Sequence, residues 1–287
     1  MSVANKQEAL HYNIKVYDGN FGRNYDKTHP KEENHYIQKH HLKIIRKLVK
    51  VFRRGSLKIL DIGCGTGDLS LKFCKITKDS IIFNLDLSRV MLKNLKKKLA
   101  PEEIKRNIFI CQDAYEYLKN TKENFDIIAT SGTLHHLFDY LEVVNLSCQK
   151  LKDNGFLYIA CEAKRHTNYF QKSIHLMDDA VYMYKYRKLT FLKFIIYFVY
   201  SFTHFLQPIT KCFRKKIITT NYNPEEQQKS EIIKKMNMKE IFKILKNNNM
   251  KVLNYEDSPV FKNEIFYKIT LMFGINDYFQ LIAKKVG

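Results

Sequence analysis

The chain has 287 residues, enough for one or two domains, and 45% of them are hydrophobic, which allows a sizeable core. Its 49 lysines and arginines outnumber its 29 aspartates and glutamates, so the net charge is +20. The excess lies in the end segments: residues 1–54 hold 12 basic and 5 acidic side chains and 163–287 hold 22 and 10, whereas 55–162 hold 15 and 14. Such a surface can attract nucleic acid, anionic lipid or an acidic substrate. The alternative is that the excess of basic residues reflects compositional drift and has no binding role.

The six cysteines are scattered and form no C-x-x-C pair. This spacing predicts neither a zinc site nor a disulfide framework. Residues 1–13 lack the apolar core of a secretory signal. We therefore expect no metal and a reducing, cytoplasmic location.

Residues 1–54 are predicted to be helical with an intervening loop. Gly19, Gly22 and Pro30 interrupt the helical periodicity. From 34 to 52, apolar residues recur at helical spacing, which predicts an amphipathic helix. This segment forms the first predicted domain.

Residues 55–162 form the second predicted domain, in which strands and helices alternate. Strands are expected at 57–62, 80–87, 108–112, 125–130 and 155–161, with helices at about 67–77, 88–99 and 139–151. Such alternation predicts right-handed crossovers and a doubly wound parallel α/β sheet of the Rossmann-like type. Ligands of this architecture bind at the carboxyl ends of the strands, where the strand order reverses.

A glycine-rich turn follows the first strand. The third glycine of a dinucleotide fingerprint would fall at Asp68, and the Gly-Lys-Ser/Thr of a phosphate-binding loop is missing. The spacing therefore excludes both patterns. The turn itself reads Asp61-Ile62-Gly63-Cys64-Gly65-Thr66-Gly67.

Acidic residues stand at the ends of the next two predicted strands. Asp86 ends the second strand about 20 residues beyond the glycines, where a carboxylate can accept from both hydroxyls of a ribose. Asp113 follows the third strand and can accept from an adenine amino group, while the backbone amide near Ala114 can donate to a ring nitrogen. Asp113 is equally suited to be a helix N-cap.

The acidic residue followed by G-x-G-x-G resembles the first motif of the class I methyltransferases that use S-adenosylmethionine. The resemblance covers about residues 57–162 and implies a seven-stranded sheet whose last pair is antiparallel. It implies S-adenosylmethionine as cofactor and no metal. It places Leu87 against the adenine and makes Tyr17 and Tyr25 candidate lid residues. The cofactor-binding residues that it implies are Tyr17, Tyr25, Asp61, Gly63, Cys64, Gly65, Gly67, Asp86, Leu87, Asp113, Ala114 and Thr130.

A pair of histidines follows the fourth strand, in the run from Ala129 to Leu137. Their Leu-His-His segment resembles that of methyltransferases of the ubiquinone and menaquinone type. Histidine can take a proton near neutral pH. Our hypothesis is that His135 or His136 faces the acceptor as base or orienting group; the alternative is that the two histidines line the helix start or contact the cofactor.

The rest of the chain departs from the regular alternation and then returns to it. Residues 163–236 are aromatic-rich and basic, and they are predicted to form a helical cap over the site or an interfacial helix flanked by the basic residues of 185–216. Residues 237–287, with a helix at 238–247 and strands at 251–258 and 278–286, are expected to complete the core sheet.

The expected function is therefore methyl transfer to a small, apolar or aromatic acceptor. A lipid or quinone methyltransferase at a membrane surface and a non-methylating S-adenosylmethionine-binding protein are the alternatives. Nucleic acid is not expected as a partner, because the Asn/Asp-Pro-Pro-aromatic and Pro-Cys motifs of base-methylating enzymes are missing. The sequence leaves open a homodimer.

Overall fold

The computed structural model describes residues 6–28, 35–52, 55–163, 236–258 and 278–287, together with residue 195. The predicted cap at 163–236 thus lies almost wholly outside the described residues. Within the described part, no helix is both long and apolar enough to cross a membrane.

One seven-stranded sheet forms the centre of the described structure, in the order β3-β2-β1-β4-β5-β7-β6. The first five strands are parallel, and β7 pairs antiparallel with both β5 and β6. This confirms the predicted Rossmann-like α/β sheet with an antiparallel last pair. The strands are β1 (Lys58–Ile62), β2 (Ile81–Asp86), β3 (Asn107–Cys111), β4 (Phe125–Ser131), β5 (Leu151–Ala163), β6 (Met250–Ser258) and β7 (Tyr278–Lys285).

Helices cover both faces of the sheet. They are α1 (Lys6–Tyr17), α2 (Asn20–Arg23), α3 (Tyr25–Thr28), α4 (His35–Val51), α5 (Ser70–Ile76), α6 (Arg89–Lys96), α7 (Pro101–Ile104), α8 (Ala114–Asn120), α9 (Tyr140–Lys150) and α10 (Met238–Asn247). One apolar core joins α4, α5 and α6 to one face, and the other joins α8, α9 and α10 to the opposite face. Both faces of the central strands are therefore buried, which explains their nearly continuous apolar runs.

Strand β5 is longer than predicted and contains a β-bulge. Its pairing with β7 shifts by one residue between Ile159 and Glu162, so that two residues of β5 face one residue of β7. Cys161 lies in this bulge with a φ of +51°, a left-handed backbone that is uncommon for a residue other than glycine. The bulge re-aims the side chains at the carboxyl end of β5.

Candidate functional site

A cleft opens at the carboxyl edge of the sheet, beside the point where the strand order reverses between β1 and β4. It has a volume of about 1140 Å³, including its opening to solvent. The loops after β1, β2, β3 and β4 form its floor and walls, and α1 lies across it. This is the position at which open α/β sheets bind their ligands.

The glycine turn forms one wall of the cleft. The backbone N–H groups of Gly63 and Cys64 both donate to the carbonyl of Leu85, at 2.7 and 3.0 Å. Gly63 has a φ of +64°, and a Cβ there would clash with the side chain of Thr133. Gly65 has a φ of +53°, and the space beside its Cα is open. A ligand can therefore approach the backbone closely at Gly65.

Asp86 connects the end of β2 to the glycine turn. Its carboxylate accepts from the backbone N–H of Gly65 and from that of Ser88, each at 2.8 Å. Burial raises the pKa of Asp86 to about 6, although these two hydrogen bonds oppose the shift. The carboxylate is half-buried, lines the cleft and is fixed in orientation before any ligand binds.

Asp113 occupies the N-cap of α8 and accepts from the backbone N–H of Glu116 at 3.2 Å. It also lines the cleft, where Lys6 of α1 lies 3.6 Å from it and 3.2 Å from Asp139. Burial tends to lower the pKa of Lys6, but the surrounding carboxylates outweigh it and raise that pKa. Asp113 is therefore both the N-cap of α8 and a residue that lines the cleft.

Two Tyr-Asp pairs attach the N-terminal helices to the loops that follow β1 and β2. Tyr17 and Tyr25 line the cleft. The carboxylate of Asp18 accepts from the Ser88 hydroxyl at 2.5 Å and from the Val90 N–H at 3.1 Å. The carboxylate of Asp26 accepts from the hydroxyl of Thr66, in the glycine turn, at 2.6 Å. The aspartates therefore hold the segment that carries both tyrosines over the cleft.

The histidine pair lies in a short 3₁₀ turn, Leu134–His136, that is fixed by Glu162. This carboxylate has no exposed surface. It accepts from the backbone N–H groups of Thr133, Leu134 and His135 at 2.8 to 3.2 Å, and from His135 Nδ1 at 2.9 Å. The charge-assisted bonds fix both the turn and the ring of His135.

His136 is the histidine that lines the cleft. Its Nε2 lies 3.4 Å from the Tyr17 hydroxyl, and its carbonyl accepts from the Asn13 side chain at 3.1 Å. Its Nδ1 is buried and has no hydrogen-bond partner among the described residues. Burial and the neighbouring His135 ring hold the pKa of His136 well below its usual value. The ring is therefore neutral at pH 7 and carries a nitrogen lone pair that can accept a hydrogen bond.

Most of the predicted site residues line this one cleft, and four do not. Those that line it are Tyr17, Tyr25, Gly63, Cys64, Gly65, Asp86, Leu87, Asp113, Ala114 and His136. Among the others, Asp61 is buried and accepts from the Ser70 N–H and hydroxyl, which anchors the start of α5. Gly67 faces Leu95 of α6, and Thr130 is buried within β4. His135 is turned toward Glu162.

Glu162, Asn13 and Lys6 are site residues that the sequence did not indicate. For Glu162 a signal was present, because it is the charged residue that ends the apolar run of β5. Its partners lie 27 to 29 residues earlier in the chain, and no local pattern connects them. Asn13 and Lys6 lie on α1, whose position over the cleft depends on tertiary contacts.

Residues 59–155 match the family model described as "Methyltransferase domain". This match identifies residues 59–155 as similar to methyltransferase domains. The match covers β1 through the start of β5, which includes the glycine turn, Asp86 and the histidine turn.

Curated relatives align over the same region. A ubiquinone/menaquinone biosynthesis C-methyltransferase of Wigglesworthia glossinidia brevipalpis is 36% identical over 103 residues, which cover 36% of this chain and 41% of the relative. A malonyl-[acyl-carrier protein] O-methyltransferase of Ilyobacter polytropus is 31% identical over 160 residues, 53% of this chain and 56% of the relative. The chain thus matches about half the length of these relatives.

The fold extends beyond the aligned region. The magnesium protoporphyrin IX methyltransferase of Synechocystis, solved with bound S-adenosylhomocysteine, superposes with a TM-score of 0.55 at 12% identity. That superposition covers 96% of this chain and 99% of the neighbour. At this identity the likeness supports the fold alone.

Proposed function

We propose that this protein transfers a methyl group from S-adenosylmethionine to a small, apolar or aromatic acceptor. The observation that carries the proposal is the joint position of Asp86 and His136 on one cleft. Asp86 is a pre-oriented carboxylate beside the glycine turn, and His136 is a neutral base under the lid. The similarity of residues 59–155 to methyltransferase domains supports the reaction class.

The cleft fits the cofactor. At Gly65 the backbone leaves open space where a Cβ would project, so a ligand can lie against the turn. Asp86 would hold the ribose hydroxyls, and Asp113 with the Ala114 amide would hold the adenine. When bound, S-adenosylmethionine supplies a methyl group that its sulfonium has already activated.

The chain itself supplies alignment, exclusion of water and a proton acceptor. The lid residues Tyr17 and Tyr25 line the same cleft as the glycine turn. An acceptor bound between the lid and the turn is therefore held apart from bulk water. His136 carries a ring nitrogen that has no partner among the described residues, and its low pKa keeps it unprotonated. It can take the proton that an oxygen, nitrogen or carbon nucleophile loses.

The acceptor class is inferred from the apolar and aromatic part of the cleft lining. This part of the lining includes Ala9, Leu10, Tyr115, Leu137, Phe138 and Val143. It favours an acceptor with an apolar or aromatic body, and the quinone-pathway relative is consistent with this class. A membrane-surface acceptor depends on 185–216, which lie outside the described residues except for 195.

The proposal is tested by incubating the full chain with methyl-labelled S-adenosylmethionine and a panel of phenols, quinols and carboxylic acids. We expect label in at least one product and an equal amount of S-adenosylhomocysteine. Cofactor binding without S-adenosylhomocysteine formation, on this panel and on a small-molecule cell extract, would contradict methyl transfer and favour the non-methylating alternative. Co-sedimentation with phosphatidylglycerol vesicles tests the membrane-surface acceptor separately.

A further inference from the structure

Three side chains from separate parts of the fold form a connected Cys-His-Asp relay beside the cleft. Cys161 Sγ, in the β5 bulge, lies 3.3 Å from Nε2 of His41 in α4. Nδ1 of the same ring lies 3.1 Å from a carboxylate oxygen of Asp68, in the loop before α5. A thiol, an imidazole and a carboxylate in this order are the parts from which activated cysteine nucleophiles are built.

The β-bulge is what directs Cys161 toward His41. Tyr158 and Ala160 belong to the apolar core on the α4 side of the sheet, and regular alternation would turn residue 161 to the other side. Cys161 instead packs against that same core, with its φ of +51°. A strained residue held in place by its surroundings is frequently part of a functional site. Among the described residues, Cys161 is half-buried rather than fully enclosed.

Asp68 fixes the proton on one nitrogen of His41. A carboxylate only accepts, so Nδ1 carries the hydrogen and Nε2 is left to take the thiol proton. Lys72 holds Asp68 by two bonds of 2.7 Å, one to its carboxylate and one to its carbonyl. Because His41 is only 1% exposed, the ring has little freedom to turn away.

The charges around the relay favour the imidazolium form of His41. Burial tends to lower the pKa of His41, but Cys161 and Asp68 outweigh it and raise that pKa to about 9. Further titratable groups on the packed elements include Lys72 on α5, Tyr158 on β5, His40 on α4 and Glu256 on β6. Lys72 is paired with Asp68, and burial raises the pKa of Tyr158, which keeps it neutral.

We propose that Cys161 is a nucleophilic thiolate that is covalently modified by small carbon electrophiles, with His41 as its proton acceptor and Asp68 as the positioning residue. The thiol proton passes to Nε2 of His41, and the sulfur then attacks the electrophilic carbon. With an alkyl halide, a carbon–sulfur bond forms as the halide leaves with its bonding electrons. The relay adjoins the cleft through Asp68, which also lines it, but the methyl-transfer proton is assigned to His136 and not to Cys161 or His41.

The test is alkylation of the full chain by iodoacetamide between pH 6 and 9, followed by peptide mass spectrometry. Cys111 is the internal reference, because it is exposed and its thiol donates to the Leu87 carbonyl at 3.5 Å rather than to a histidine ring. At pH 6.5 we expect Cys161 to react about fivefold or more faster than Cys111. A thiol whose proton can pass to an adjacent histidine presents more of the reactive thiolate than an unassisted thiol does.

Substitution of His41 tests whether this histidine activates the Cys161 thiol or whether the thiol reacts only because it is accessible. H41Q should slow the alkylation of Cys161 by about fivefold or more at pH 6.5. It should also move the pH at which the alkylation rate is half-maximal toward the ordinary cysteine pKa of about 8.5. The neighbouring substitution H40Q, outside the relay, should leave the rate within about twofold. Equal reactivity of Cys161 and Cys111, or an unchanged rate in H41Q, would overturn the proposal.

A second measurement does not depend on the folding of H41Q. The ultraviolet absorbance of thiolate is titrated in the wild-type protein and in C161S, and the difference reports Cys161 alone. We expect the difference signal to be present at pH 6.5. Its appearance only above about pH 8.5, the ordinary cysteine pKa, would contradict the proposal.

Discussion

At the residue scale, the ionisation of Asp86 bears directly on its proposed contact with the cofactor ribose. Its two oxygens accept from Gly65 and Ser88 in the free protein, and burial raises its pKa to about 6. Only the ionised form keeps enough lone pairs to accept from two hydroxyls as well. Binding of a ribose therefore requires the ionised carboxylate.

The affinity for the cofactor should therefore fall as the pH is lowered through the pKa of Asp86. Below pH 6 the free protein holds a proton on Asp86 that must leave before the diol binds. We expect the affinity for S-adenosylhomocysteine to be constant from pH 7 to 8 and about tenfold lower at pH 5. Isothermal calorimetry measures this directly, and equal affinities at pH 5 and pH 7 would show that Asp86 does not contact the ligand as an ionised group.

Glu162 stabilises the histidine turn from the adjacent strand. An amide in its place keeps one acceptor oxygen but turns an NH₂ group toward backbone N–H donors. We expect E162Q to lower the free energy of unfolding by about 3 kcal/mol, because buried donors lose a charged partner. Urea unfolding measures the loss. The control E142Q, at an exposed position in α9, should stay within about 0.5 kcal/mol of wild type.

His136 is the predicted proton acceptor of the methyl transfer. H136A should lower kcat by about 10²-fold or more for an acceptor that must lose a proton, with little change in cofactor affinity. The matched control H11A, at an exposed position in α1, should keep its kcat. Single-turnover assays with the acceptor found by the labelling experiment measure the effect. Unchanged turnover and pH profile in H136A would remove the base assignment.

At the element scale, α1 is held over the cleft by a few polar contacts. The Asp18 carboxylate joins its end to the first turn of α6 through Ser88 and Val90. D18A should loosen residues 6–28, increase their hydrogen exchange and speed dissociation of S-adenosylhomocysteine by about tenfold. The exposed α1 substitution Q7A is the control. Slow exchange and slow dissociation in D18A would show that other contacts hold the lid.

The elements that sequence patterns predicted best are those specified by neighbouring residues. Strands β1 to β4 and helices α6 and α9 follow from apolar runs and helical spacing, which act over a few residues. The bulge in β5 lacks such a signal. It arises where β5 pairs with β7, more than 100 residues later, and Cys161 adopts its left-handed φ without a glycine. The positions that the bulge gives to the side chains of Glu162 and Cys161 could therefore not be predicted from the sequence.

At the scale of the whole molecule, the strand order follows from the alternation of strands and helices. Once five parallel strands and right-handed crossovers are expected, few topologies remain, and the reversal beside β1 places the cleft. The positions of Asp86 and Asp113 could be predicted because strand ends share one edge. The different orientations of His135 and His136 could not be predicted, since the position of His135 depends on Glu162 from a different strand.

The net charge of +20 is a property of the end segments. The region 55–162, which contains the glycine turn, Asp86 and the histidine turn, is nearly balanced. The cleft residues include the carboxylates of Asp68, Asp86, Asp113 and Asp139. A cleft with several carboxylates suits the cationic sulfonium and ammonium groups of S-adenosylmethionine better than a polyanion.

Calorimetric titration of S-adenosylhomocysteine into the wild type, D86N and D79N tests most directly whether this cleft is the cofactor site. Asp79 is exposed at the opposite end of β2, so D79N changes the net charge equally without touching the cleft. The account predicts tight binding to wild type and D79N and a loss of about 10-fold or more in D86N, because a charge-assisted acceptor is removed. Equal affinity in all three proteins, or loss in D79N as well, would contradict it.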